Sequence, residues 1–148
     1  MPSPRPFAPI RTEPGPWSIA ELRRAPRQGF QRLIGVELGE VRPDEVVATI
    51  EIGPHHLNSV GRVHGGVLMA LADSLGALGA LQSLAADQRT ATLESKTNFL
   101  RPAGGRVLTG RCKPLHLGRR TSLWSTSIED EEGAVVAIVM QTQLHFVE

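Results

Sequence analysis

The longest run of hydrophobic positions lies between Gly65 and Ala86, where apolar residues fall on every side of a helical projection. A helix that is apolar all round is normally buried inside a protein or a membrane. Asp73 and Gln82 interrupt the run, and strand-like sequence follows it. Because a charge at the centre of a lipid bilayer is costly, we predict a core helix and not a membrane span.

The rest of the chain shows the alternation of strands. Two strands are predicted before the helix, over residues 36–41 and 45–52, and the second has its more apolar face at Val46, Ala48 and Ile50. Four more are predicted after it, over residues 90–100, 106–117, 119–129 and 134–147. Short turns make neighbouring strands antiparallel. A single apolar helix is best buried on the concave face of a curved sheet, which predicts an α+β fold with the sheet wrapped around it.

The start of the chain has a different composition. It is rich in proline, which predicts an irregular arm. Ser18 and Glu21 have the spacing of a capping box, which predicts a short helix over residues 17–22, and a second helical turn follows. We therefore expect an N-terminal arm with a short helix, residues 1–30, and one compact domain, residues 31–148.

Composition excludes several classes of function. A net charge of +1 gives the chain no overall attraction to nucleic acid or to a membrane surface, and with 4% aromatic residues it has few platforms for base stacking. The single cysteine, Cys112, rules out an intrachain disulfide and cysteine-cluster metal sites. His55, His56 and His64 lack a zinc-binding spacing. We expect a cytoplasmic protein with no metal and no cofactor.

Asp73 is the one carboxylate between Glu51 and Asp87. Either it lies on an exposed or interface-facing part of the helix, or it acts as a general base or nucleophile in a partly dry pocket. Asp73 follows Gly65 by eight residues, about 12 Å along a helix axis at 1.5 Å per residue. One small reacting group cannot easily touch both, so a site that uses both predicts a symmetric dimer with shared active sites.

The residues that open the helix are a second candidate. Gly65 and Gly66 follow His64, at the point where backbone N–H groups lack intrahelical partners and favour an anion or a developing oxyanion. A tight turn that needs small residues is the simpler interpretation. Asn58 would orient a substrate carbonyl or a water, or cap its own loop, and the His64 imidazole would be catalytic or packed in the loop.

Basic residues dominate the second half of the chain. Seven lie between Ser95 and Ile128, and no acidic residue does. This bias favours a phosphate-rich partner, which Arg119 and Arg120 would bind through their guanidinium groups. A solvated basic face of the sheet is the alternative.

These motifs together resemble the hotdog-fold acyl-CoA thioesterases, and most closely their PaaI-type, 4-hydroxybenzoyl-CoA thioesterase-like group. The pattern H-x-N-x-x-G-x-x-H-G-G-x-x-x-x-L-x-D of that group occurs here as His56, Asn58, Gly61, His64, Gly65, Gly66, Leu71 and Asp73. Phe99-Leu100-Arg101-Pro102-Ala103 and His116-Leu117-Gly118-Arg119 also match. The resemblance covers residues 36–147.

The resemblance implies a sheet wrapped around one helix, with protomers joined edge to edge into dimers that often pair again. It implies that Asn58 and the Gly65 amide polarise the thioester carbonyl. We also expect His64 among the catalytic residues and Gly66 among those that bind the substrate. Asp73 of the partner chain would be the general base or nucleophile, and the Thr92 hydroxyl would help to hold the attacking water. The weaker expectations are the contacts to the coenzyme A phosphates, which fall on Lys96, Arg101, Arg119 and Arg120.

The expected function is hydrolysis of an acyl-CoA thioester to a carboxylic acid and free coenzyme A. A non-catalytic protein that binds or senses acyl-CoA on the same fold is the main alternative. A hotdog dehydratase or hydratase is a third, although the Asp/His arrangement usual for that chemistry is missing here.

Overall fold

The computed structural model describes residues 19–24, 29–85 and 87–147. Its helices are α1 (Ile19–Arg24), α2 (Phe30–Leu33) and α3 (Gly65–Ser83). Its strands are β1 (Val36–Arg42), β2 (Glu45–Glu51), β3 (Gln88–Phe99), β4 (Val107–Leu117), β5 (Thr121–Glu129) and β6 (Val135–Val147), and one 3₁₀ turn, Pro54–His56, precedes α3. Every predicted strand is present, with its ends within two residues of the prediction.

The N-terminal arm is described only in part. The predicted N-cap, Ser18, and the proline-rich start lie outside the described residues. The first helix runs on to Arg24, two residues beyond its predicted end. It contacts β1, and Leu22 is buried, so this part of the arm packs against the sheet.

All six strands form one antiparallel sheet in the order β1-β2-β4-β5-β6-β3. Helix α3 carries the chain across the sheet from β2 to β3, and the connection from β3 to β4 returns it to the position beside β2. That crossing leaves β3 at the far edge, where β6 is its one partner strand among the described residues.

Pro114 occupies a position in β4 where its missing N–H costs little. The β2–β4 ladder ends at Cys112, and the β4–β5 register shifts between Pro114 and His116. The sequence predicted an edge or a bulge at this proline, and the structure shows a bulge beyond the end of a ladder.

Helix α3 packs against all the strands of the sheet, as the apolar pattern predicts. Leu71, Ala72 and Leu75 are fully buried. Where the helix passes Trp124 it carries Gly79, and a Cβ at that position would lie 2.6 Å from the indole ring. By length and composition α3 could cross a membrane, but over half of that segment is buried inside this fold.

One side of α3 stays uncovered, along the edge formed by β3. Met69 and Asp73, one helical turn apart, are exposed. The adjoining strand presents Leu93 and Phe99 to solvent, and Leu100, the next residue, is also exposed. The register of this strand with β6 shifts between Thr92 and Glu94. The candidate chemistry lies on this open side.

Candidate active site

The first turn of α3 leaves one backbone donor free. His64 caps the helix: its Nδ1 accepts a hydrogen bond from the Gly66 N–H (2.9 Å), and its carbonyl accepts one from the Val67 N–H (2.9 Å). The N–H of Gly65 donates to no residue that the structure describes. Gly65 is therefore the amide that can receive a ligand oxygen, with the positive end of the helix behind it.

Gly65 also lies against β3. A Cβ at this position would come within 3.0 Å of the Phe99 ring. The glycine therefore allows the helix terminus to pass close to the edge strand, and Phe99 covers one side of the free amide.

Asn58 adopts the loop-capping arrangement that the sequence left open. Its Oδ1 accepts hydrogen bonds from the Val60 and Arg62 N–H groups, each at 3.0 Å. The Nδ2 of the same amide donates to no described residue, so capping and orientation of a substrate carbonyl are compatible.

His56 anchors this loop, a role that the sequence did not reveal. It is buried; its Nδ1 accepts from the Gly53 N–H (2.9 Å), and its Nε2 lies 3.1 Å from the Ile34 carbonyl. Burial, aided by the neighbouring His55, lowers the pKa of His56 despite the bond to Ile34. The neutral imidazole with its proton on Nε2 fits both bonds, and ties the loop to the end of α2.

Two side chains from the sheet donate hydrogen bonds to one oxygen of the Asp73 carboxylate. Its Oδ1 accepts from the Thr92 hydroxyl (2.9 Å) and from Nε2 of Gln141 (2.8 Å). The structure thus brings Thr92 to Asp73 of the same chain. Gln141 and Gln143 were missed, although glutamines on the same face of a predicted strand as Ala137 and Val139 are an available signal.

The expected phosphate contacts are not brought together within one chain. The Arg101 N–H bonds to the Val136 carbonyl, whereas the Arg120 carbonyl accepts from the His145 N–H. Val136 and His145 both lie on β6, about 30 Å apart at 3.3 Å per residue. Arg119 and Arg120 therefore lie at the opposite end of the sheet from Arg101. Lys96 pairs with Met140 between these ends.

An apolar groove opens beside the first turn of α3. Its volume is about 660 Å³, within the usual range for ligand pockets. It is lined by Phe30, Leu33, Ile34, His55, His56, Leu57, His64, Gly66 and Val67. The groove therefore runs from α2 to the residues next to the free amide.

The structure gives less support to catalysis by a metal ion or by the cysteine thiol. Within the described ranges, no group of three or more His, Cys, Asp or Glu side chains is placed to hold a metal ion. Burial raises the pKa of the Cys112 thiol to about 11, against a smaller opposing effect of Thr126. A thiol with that pKa stays protonated near neutral pH and is a poor nucleophile.

One antiparallel sheet wrapped around one central helix is the hotdog fold, which this chain shares with a solved thioesterase. The sequence profile of the thioesterase superfamily matches residues 60–137. The chain belongs to this superfamily, and it is a thioester hydrolase.

Known thioesterases and a CoA hydrolase are similar to this chain in sequence and in structure. The 1,4-dihydroxy-2-naphthoyl-CoA hydrolase of Escherichia coli is 31% identical over 100 residues, which cover 68% of this chain and 74% of the relative. A thioesterase of Haemophilus influenzae superposes with a TM-score of 0.83 at 25% identity, over 88% of this chain and 92% of the other. A hypothetical thioesterase protein of Streptococcus pneumoniae, solved with coenzyme A, gives a TM-score of 0.70 at 28% identity, over 77% and 88% of the two chains.

Proposed function

We propose that the protein hydrolyses acyl-CoA thioesters at active sites shared between two protomers. The observation that carries the proposal is the position of two unused groups on α3. The Gly65 N–H and the Asp73 Oδ2 make no hydrogen bond to a described residue, and both lie towards the β3 edge. About 12 Å of helix separates them, which is too far for one thioester carbon and its attacking oxygen.

Pairing of two β3 strands would remove that separation. Asp73 contacts Thr92 in the first half of the strand, and Gly65 lies against Phe99, the last residue of the strand. Antiparallel pairing about a two-fold axis would place Asp73 of one protomer beside Gly65 of the other. It would also cover Leu93 and give hydrogen-bond partners to the unpaired backbone groups of the β3 edge. Proteins normally keep such an edge covered or paired. A further pairing of dimers stays a prediction.

In the proposed reaction, the Gly65 N–H and the Asn58 Nδ2 of one protomer donate to the thioester oxygen and stabilise the oxyanion. The carboxylate of Asp73 on the other protomer either takes a proton from water or attacks the acyl carbon itself. Water supplies the hydroxyl of the carboxylic acid product, directly in the first route and by hydrolysis of the acyl-aspartyl anhydride, which restores Asp73, in the second. The C–S bond breaks, and coenzyme A leaves as the thiol after gaining a proton.

The surroundings of the two groups fit an acyl-CoA. The groove beside α3 would receive the apolar acyl group, since it ends at His64 and Gly66, next to the Gly65 amide. The same antiparallel pairing would bring Arg101 of one protomer to the end of the dimer that carries Arg119 and Arg120 of the other. The phosphates would bind there. The E. coli hydrolase is named for a CoA thioester, which supports this substrate class.

Release of free thiol from aromatic, short-chain and long-chain acyl-CoAs, detected with DTNB, tests the activity and ranks the acyl groups. Asp73→Asn should lower kcat by at least about a hundredfold, as expected for loss of a general base. Binding of acyl-CoA without thiol release by the native protein would instead support a sensing protein.

Complementation tests whether the sites are shared. Gly65→Pro removes the free N–H at the first helical position, where the proline backbone is tolerated, after His64 in an extended conformation. Its Cβ also requires a small shift of the Phe99 ring, 3.0 Å away in the same protomer. Mixing inactive Gly65→Pro with inactive Asp73→Asn should give heterodimers with one intact site, and about a quarter of native activity if chains exchange at random. Each variant mixed with itself is the control. No recovery after verified chain exchange would refute the shared site.

A further inference from the structure

We propose that Gln141 is a positioning residue for Asp73, and that it fixes which carboxylate oxygen reacts. This inference rests on the proposed function. Gln141 lies on β6 and is almost completely buried, so it cannot touch the substrate. Its role must be exerted through the groups that it contacts.

The side-chain amide of Gln141 reaches both partners of the site. Its Nε2 lies 2.8 Å from the Asp73 Oδ1 and 3.0 Å from the Thr92 Oγ1. Because Thr92 also donates to the same carboxylate oxygen, two donors hold Oδ1. The other oxygen, Oδ2, is left to face water or substrate.

A second glutamine sets the direction of these bonds. Thr90 donates its hydroxyl to the Oε1 of Gln143 (2.8 Å), and the Gln143 Nε2 therefore faces the Thr92 hydroxyl (3.0 Å). The Thr92 oxygen accepts from Gln141 and Gln143, so its own hydrogen must point to Asp73. A hydroxyl has one hydrogen and two lone pairs, and all three are used.

The role of Thr92 changes as a result. The resemblance gave Thr92 a part in holding the attacking water, but its hydroxyl has no bonding capacity left for a water. We infer that Thr92 orients Asp73, and that the water is held by the free Oδ2.

The other end of the Gln141 amide shows that this arrangement costs stability. Its Oε1 is buried and has no hydrogen-bond partner among the described residues, and it lies so close to Gly76 that a Cβ there would be 2.2 Å away. Reversing the amide would place its oxygen against a carboxylate oxygen. Because an unpaired buried acceptor destabilises a protein, the orientation of the Gln141 amide is explained by its hydrogen bond to Asp73 and not by the stability of the fold.

The variant Gln141→Leu separates positioning of Asp73 from support of the fold. Leucine fills similar space, but it has neither the amide donor nor the unpaired carbonyl. We expect kcat for acyl-CoA hydrolysis to fall at least about tenfold, by loss of positioning, with KM within twofold and an unchanged or higher denaturation midpoint. Gln82→Leu, at a buried glutamine that lies on α3 and not on β6, is the matched control and should leave kcat unchanged. A crystal structure of Gln141→Leu should show the Asp73 carboxylate rotated or in more than one rotamer.

Native kcat in Gln141→Leu, or an unmoved Asp73 in its crystal structure, would overturn the proposal. So would a loss of kcat accompanied by an equal rise in KM and a lower midpoint, because that pattern belongs to a general structural role. The native protein and Asp73→Asn are measured in the same series. If the native protein released no thiol, or if Asp73→Asn were fully active, the proposed function itself would be wrong, whatever the result for Gln141→Leu.

Discussion

The close approach of α3 to the sheet at Gly79 gives a quantitative prediction for stability. Alanine at this position would place its Cβ 2.6, 2.8 and 2.9 Å from three atoms of the Trp124 ring. Since carbon atoms pack best at about 3.5–4.0 Å, the ring or the helix would have to move by about 1 Å. The ring is fully buried, and its Nε1 donates to the Ser122 hydroxyl (2.8 Å), so it cannot move freely.

Three effects set the magnitude. Overpacking of a core costs about 1–3 kcal/mol, and weakening the indole hydrogen bond costs about 1 kcal/mol more. The higher helix propensity of alanine returns about 1 kcal/mol. Gly79→Ala should therefore lower the free energy of unfolding by about 1–3 kcal/mol in total, measured by urea denaturation at a fixed protein concentration.

A double-mutant cycle with Trp124→Phe identifies the cause, because phenylalanine lacks the outer ring of the indole. Gly79→Ala should cost at least about 1 kcal/mol less in the Trp124→Phe background than in the native one. A Gly79→Ala variant that is more stable than the native protein would refute the reasoning, since helix propensity would then outweigh the contact.

Three further predictions concern the site and its supports. Gly76→Ala should displace the Gln141 amide, whose Oε1 would lie 2.2 Å from the new Cβ, and lower kcat for thiol release at least about fivefold; unchanged kcat would contradict this contact. Asn58→Asp keeps the oxygen that caps the loop but loses the Nδ2 donor, so it should lose activity at a native denaturation midpoint, whereas Asn58→Ala should also lose about 1 kcal/mol of stability. Burial lowers the pKa of both His56 and His145 from 6.5, against opposing backbone hydrogen bonds. The unfolded chain therefore takes up protons that the folded chain resists, and the free energy of unfolding should fall below about pH 6.5, by up to about 1.4 kcal/mol per pH unit for each histidine; a flat profile in urea denaturation would contradict their burial.

Much of the fold could be predicted because periodicity is a local property. Alternation placed the strands, and an unbroken apolar run placed α3, since each pattern reports which side of an element faces the core. The spacing of Gly65 and Asp73 on one helix gave the argument for a shared site, because helical rise per residue is nearly constant.

The sheet order and the partners of the carboxylate could not be predicted in this way. Pairing of β3 with β6, which are separated by two other strands in the chain, depends on how the sheet closes around the helix. That pairing brings Gln141 to Thr92 and both of them to Asp73. Hydrogen bonds between side chains on different elements depend on register and on distances of a few tenths of an ångström. The sequence alone thus determined that a carboxylate stands in an apolar helix, and only the tertiary structure decided which of its oxygens is held and which is free, because the groups that hold it converge only when the sheet forms.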